Sequence, residues 1–226
     1  MIQYQTNPIK WCESIYKYSI YIAEFWNSIT SLSFLLIALY FYIDQTNRKV
    51  SFRNHLKVKT LLLLLALISP TSIIFHVTLN FYAQFVDELS VMVFLFYCMK
   101  EVYQFNNLTF YYSIILSGLI SWFIPFLSPF ILLSMGTILT YETKNRLVNH
   151  QDSLKIWYKG YYFGLTSIFL WLFDFLCFFN THSWWHIFIS ISLYHFLLVI
   201  FKERIYEDKN KLKIINNFIP YLKDNK

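Results

Sequence analysis

The stretch "FNTHSWWHIFISISLYHFLLVIF", residues 179–201, decides the fold. It contains no Asp, Glu, Lys or Arg, and its length meets the roughly 20 apolar residues that a helix needs to cross a bilayer core. At its mouth His182 and His186 stand four residues apart, with Trp184 and Trp185 between them. Two readings compete. In one, Trp and His form an interfacial belt, apolar bodies with polar tips at headgroup depth. In the other, the i, i+4 spacing stacks both imidazoles on one helix face, as two ligands of one ion require.

The rest of the chain has the same character. Of its 226 residues 57% are hydrophobic and only 14% charged, which is the composition of an integral membrane protein. The net charge of +6 does not point to nucleic acid, because the Lys and Arg form short clusters between apolar runs with no helix-turn-helix or RNA-binding pattern beside them. They read as topology signals and as contacts to the anionic headgroups of the lipid bilayer. Cys12, Cys98 and Cys177 form no C-x-x-C pair, which argues against a thiolate metal site and allows at most one disulfide. Lys10, Lys17 and Glu24 interrupt any signal-peptide pattern, so the first span is expected to be retained.

Charges, prolines and Asn clusters divide the chain into seven expected spans: Ile20–Ile43, Val58–Thr78, Gln84–Tyr103, Leu108–Phe123, Phe126–Tyr141, Trp157–Cys177 and Ser183–Phe201. The fourth and fifth come from one uncharged interval split at Pro125 and Pro129. The expected fold is therefore an all-α, seven-transmembrane helix bundle. Arg48, Lys49, Arg53, Lys57 and Lys59, then Lys100, then Lys144, Arg146, Lys155 and Lys159, and finally the basic residues after span 7 fall on one side, against Lys10 and Lys17 on the other. The positive-inside rule then makes the C-terminus cytosolic and the N-terminus lumenal or extracytoplasmic. On this reading residues 1–19 are a lumenal segment, 20–201 the membrane domain and 202–226 a solvated or surface-lying cytosolic tail.

Ionisable groups inside a membrane are costly, and each is by default a functional hypothesis. Ser72 and His76 end span 2, Asp87 begins span 3, Asp174 ends span 6, His182 and His186 begin span 7, and Glu24 lies early in span 1. All fall on the lumenal half. Scattered interfacial residues would occupy both halves, so the one-sidedness favours a shared site. Ser72 and His76 form a second i, i+4 pair. Three neutral imidazoles with one open position are a catalytic zinc arrangement, in which bound water is acidified to a pKa of about 7. Asp87 then suits the general base. Taken singly, Ser72 could bond back to a helix carbonyl and Asp87 could cap span 3. His55, His150 and His195 lie off the cluster and read as structural.

These residues and their order carry a resemblance. "WCESIYKYSIYIAEFWNSI", the S-x-x-x-H of "SIIFHVTL", "QFVDEL" and "HSWWHI" together resemble the alkaline ceramidases, seven-helix zinc amidases of the superfamily that includes the adiponectin receptors. The resemblance runs from about Trp11 to about Ile200. It implies His76, His182 and His186 as zinc ligands, Asp87 as the carboxylate beside the attacking water and Ser72 as the site serine. The implied reaction is hydrolysis of the amide bond of ceramide, a membrane lipid, to a sphingoid base and a fatty acid. A disulfide between Cys12 and Cys177 is implied too, leaving Cys98 free.

One departure stands out. The family's calcium pattern, Asp-Trp-Cys-Glu-x-Asn plus a later Glu, meets Lys10 and Ile15 at its Asp and Asn positions, and only Trp11, Glu13 and Glu24 match. Calcium takes six to eight oxygen ligands, so the site is degenerate and calcium-independent activity is expected, with Lys10 pairing Glu13 or Glu24 in the ion's place. Two alternatives to a ceramidase stay open: a hydrolase of another lipid amide or ester, and a non-enzymatic receptor or transporter whose His and Asp carry protons or bind ligand. The setting is multi-pass, in the endoplasmic reticulum or Golgi of a eukaryotic host or the inner membrane of a bacterial one. Oligomeric state is not legible.

Overall fold

The computed structural model describes residues 11–46, 52–177, 179–205, 212–215 and 219–224. Lys10, Arg48 and Lys49, on which parts of the sequence reading rest, lie outside these. Among the described residues the helices are α1 (Phe25–Thr30), α2 (Leu32–Thr46), α3 (Phe52–Thr78), α4 (Phe81–Tyr103), α5 (Asn107–Phe123), α6 (Ser128–Arg146), α7 (Gln151–Asp174) and α8 (His182–Ile200). A single π turn, Phe201–Ile205, continues α8. Among the described residues four helical stretches, Phe25–Thr46, Lys57–Thr78, Phe81–Tyr103 and His182–Glu203, are long and apolar enough to cross a membrane.

The bundle is apolar outside and polar within. Leu36, Leu63, Ile115 and Phe169 face outward, whereas Asn27, Ser31, Ser69, Ser167 and Asp174 are buried. A lipid solvent favours that distribution, since only the interior offers polar groups a partner. The apolar core lies towards one end, where Phe41, Leu65, Ile156, Trp157, Leu198 and Phe201 pack together.

Helix ends depart from the sequence expectation where a cap comes from elsewhere. The first helix begins at Phe25, not Ile20, because the Glu13 carboxylate accepts the Trp26 and Asn27 N–H groups at 2.7 and 2.9 Å. Glu24 is therefore the residue before the helix. α1 and α2 meet at Ser31, whose hydroxyl, like that of Thr30, bonds back to Asn27, an arrangement that loosens a helix. Asn80 caps α4 through the Tyr82 N–H at 2.8 Å. This overturns Asp87 as a cap and places it in the second turn. The break expected at Pro125 and Pro129 is present as a 3-10 turn, Pro125–Leu127, ahead of α6.

α7 and α8 form the closest helix pair. A Cβ on Gly160 would meet the His195 Cβ at 2.9 Å, and one on Gly164 would meet the Ser192 Oγ at 3.0 Å. The Ser192 hydroxyl donates to the Gly160 carbonyl at 2.7 Å. Gly160-x-x-x-Gly164 is thus a small-residue packing motif, and it fixes α8 along its length.

The tail, expected to be solvated or surface-lying, forms a short hairpin in its described residues. Strands β1 (Leu212–Ile215) and β2 (Tyr221–Asp224) pair antiparallel, with Ile214 opposite Leu222. Both side chains are buried in the apolar core, and the Tyr194 hydroxyl donates to the Pro220 carbonyl at 2.6 Å. Period-2 alternation puts the two apolar residues on one face, and that face folds back onto the bundle.

Candidate metal centre

His76 lies near the end of α3, and His182 and His186 occupy the first and second turns of α8. All three rings are buried, and one nitrogen from each lies within 4.8 Å of the others. The two helices come from distant parts of the chain, yet the three imidazoles form one cluster.

Each ring is held differently. His76 Nδ1 lies 2.6 Å from Glu24 Oε2, and His186 Nδ1 lies 2.9 Å from Thr30 Oγ1. His182 has two aromatic neighbours: Trp11 stacks on it with centroids 3.7 Å apart, and Trp185 lies nearly parallel at 5.1 Å. Its own Nδ1 is buried with no hydrogen-bond partner. An orphaned buried nitrogen is costly, and three neutral imidazoles turned towards one point are a donor set for a transition metal. The residues present therefore fit a metal ion.

Asp174 organises the approach to α8. Its Oδ1 accepts the Thr181 and His182 N–H groups at 2.8 and 2.9 Å, and its Oδ2 accepts the Cys12 N–H at 3.0 Å. One carboxylate thereby caps α8 and ties it to the N-terminal segment. Cys12 and Cys177 are joined as a disulfide, and Cys98 is free. Together these contacts bring Trp11 onto His182.

The second half of the site is built by α3 and α4. Ser72 lies one turn before His76 on the same face of α3, and Ser72 and Thr71 neighbour the Asp87 carboxylate. Ser72 Oγ is also 3.0 Å from Ser31 Oγ, and Thr71 Oγ1 is 2.9 Å from Ser90 Oγ.

A family model described as Ceramidase matches residues 3–223. The chain belongs to the ceramidase family. It is similar to an alkaline ceramidase of Drosophila melanogaster, 28% identical over 219 residues that cover 86% of this chain and 76% of the relative. It is likewise 27% identical to alkaline ceramidase 1 of Mus musculus, covering 84% and 77%, and 27% identical to alkaline ceramidase 1 of Homo sapiens, covering 84% and 80%.

In this ceramidase-family chain the three residues that match the calcium pattern all lie next to the histidine cluster or the start of α1. Trp11 stacks on His182, Glu13 caps α1 with both oxygens, and Glu24 holds His76. Ile15, at the position of the amide ligand, is exposed. The sequence reading missed Asn27, Thr30, Ser31 and Thr71 around the centre, and also Glu88, whose carboxylate accepts from Gln84 Nε2 at 2.7 Å. The signal was there in Glu24, Asn27, Thr30 and Ser31, which recur at helical spacing along one face of an otherwise apolar segment. His195, expected to be structural, bonds the Ile191 carbonyl at 2.7 Å from within α8.

Proposed function

We propose that the chain is a zinc-dependent intramembrane ceramidase, which adds water across the amide of ceramide and releases a sphingoid base and a fatty acid. The observation that carries this reading is the buried cluster of His76, His182 and His186, three imidazoles in a chain of the ceramidase family. Zinc held there would supply a Lewis acid for the amide carbonyl and would acidify a water molecule.

The chain's own residues supply the rest. Asp87, beside Ser72 and Thr71, takes a proton from the attacking water as the new C–O bond forms. It then returns that proton to the amide nitrogen as the C–N bond breaks. Ser72, between Asp87 and the His76 turn, is the hydroxyl that turns towards the developing oxyanion. The apolar exterior keeps the site within reach of a substrate that stays in the bilayer.

The same proposal includes seven spans with a lumenal or extracytoplasmic N-terminus. Residues 1–19 form the lumenal segment, 20–201 the hydrolase domain and 202–226 a cytosolic tail. The location is endoplasmic reticulum or Golgi in a eukaryote, or the inner membrane in a bacterium. The purified protein, offered ceramides, ester analogues and other lipid amides, is expected to release fatty acid from ceramides at the highest rate. Chelation should stop the reaction and zinc restore it. Faster turnover of another lipid class would overturn the substrate, and full activity in a metal-free preparation would overturn the zinc.

Calcium has no part in this reading. Lys10 and Ile15 stand where the calcium pattern has its Asp and Asn, which leaves too few oxygen ligands for an ion that takes six to eight. Micromolar calcium and a calcium chelator are each expected to change the rate by less than about twofold. Strong stimulation by calcium would contradict this.

A further inference from the structure

The segment from Glu24 to Ser33 supplies no metal ligand, yet it touches three members of the site. Glu24 is 1% exposed and Asn27 and Ser31 are fully buried. Glu24 meets His76 twice: its N–H donates to the His76 carbonyl at 2.9 Å, and its carboxylate Oε2 lies 2.6 Å from His76 Nδ1. Asn27 Nδ2 donates to the same Oε2 at 2.9 Å, which holds the carboxylate in place.

Proton counting then fixes the rings. A carboxylate is an acceptor, so His76 carries its hydrogen on Nδ1 and keeps a lone pair on Nε2. Thr30 has one hydroxyl hydrogen, shared between the Trp26 and Asn27 carbonyls at 2.8 and 3.3 Å. With its hydrogen used there, Thr30 is left to accept from His186 Nδ1, which puts the His186 lone pair on Nε2. Two rings on two helices are thereby set to the same tautomer by one segment. The third ring, His182, has no such partner at Nδ1 and is held by stacking instead.

We propose that Glu24 and Thr30 are positioning residues that fix the Nδ1–H tautomers of His76 and His186 and so present both Nε2 atoms to a single ion. This rests on the zinc reading above. It gives Glu24, at a position where the resemblance implies a calcium ligand, a different task in this chain. A charged acceptor makes the stronger bond and the more basic imidazole, so Glu24 has the larger share.

The test is zinc affinity, measured on the purified full chain by competition with a chelator. Glu24→Gln keeps the shape and removes the charge, and is expected to weaken zinc binding by about 10–100-fold. Thr30→Val, near isosteric, is expected to weaken it by roughly tenfold, and Thr30→Ser to restore wild-type affinity. Cobalt loaded in place of zinc gives a ligand-field spectrum, which should shift in Glu24→Gln and Thr30→Val and not in Thr30→Ser. Unchanged zinc affinity and an unchanged cobalt spectrum in both variants would overturn the proposal, even if their melting temperatures fall. If Glu24→Gln does not fold, the Thr30 pair decides alone. A wild-type protein that binds no zinc would remove the zinc reading itself, an outcome distinct from a wild type and variants that bind equally well.

Discussion

His182→Ala and His186→Ala are each expected to leave the purified protein without stoichiometric zinc and to lower ceramide hydrolysis by more than about 1000-fold. The size follows from the donor set. With one of three imidazoles gone, two nitrogens remain, and carbonyl polarisation and water activation are lost together. A change in a supporting residue costs about 10–100-fold in metal affinity, and loss of a ligand must exceed that. The control is His195→Ala. His195 is buried on the same helix but bonds only its own Ile191 carbonyl among the described residues. Its loss opens space against Gly160 and lowers stability while leaving zinc bound. Elemental analysis beside a rate measurement separates the cases. If a His182 or His186 variant retained one zinc and near-normal turnover, the centre would lie elsewhere.

The clustered histidines were legible in the sequence because part of their spacing is local. His182 and His186 are one turn apart, Ser72 and His76 one turn apart, and helical geometry alone puts each pair on one face. What the sequence hid depends on long-range contacts. Glu13 caps α1 from outside the helix, and Asp174 caps α8 from the end of α7. No local propensity marks either boundary. Asn80, by contrast, is an ordinary N-cap residue four positions ahead of the expected start of span 3, and its signal was available.

The C-terminal hairpin was hidden for a different reason. Its strands are four residues each, interleaved with Lys and Asp, and such a segment reads as solvated until the core that receives Ile214 and Leu222 is known. The task of Glu24 was hidden by the resemblance. A position that matches a calcium ligand invites a calcium role, and only the 2.6 Å contact with His76 redirects it.

Asp87→Asn should separate proton transfer from metal binding. The amide has nearly the shape of the carboxylate and fits the same place beside Ser72 and Thr71, so zinc content is expected to stay near one per chain. Turnover should nevertheless fall by about 100- to 10,000-fold, the usual contribution of a positioned acid–base group. The contrast with His182→Ala lies in the pairing of the two readouts: there zinc and rate are lost together, here rate is lost and zinc remains. Glu88, the neighbouring carboxylate, gives the comparison a second edge. It is one residue further round α4 and is bonded to Gln84, so Glu88→Gln should lower the rate far less than Asp87→Asn. A larger loss in the Glu88 variant, with Asp87→Asn near wild type, would transfer the proton-carrying role to Glu88. Loss of zinc in Asp87→Asn would instead make Asp87 part of the metal centre, and the order of proton transfers proposed above would have to be abandoned.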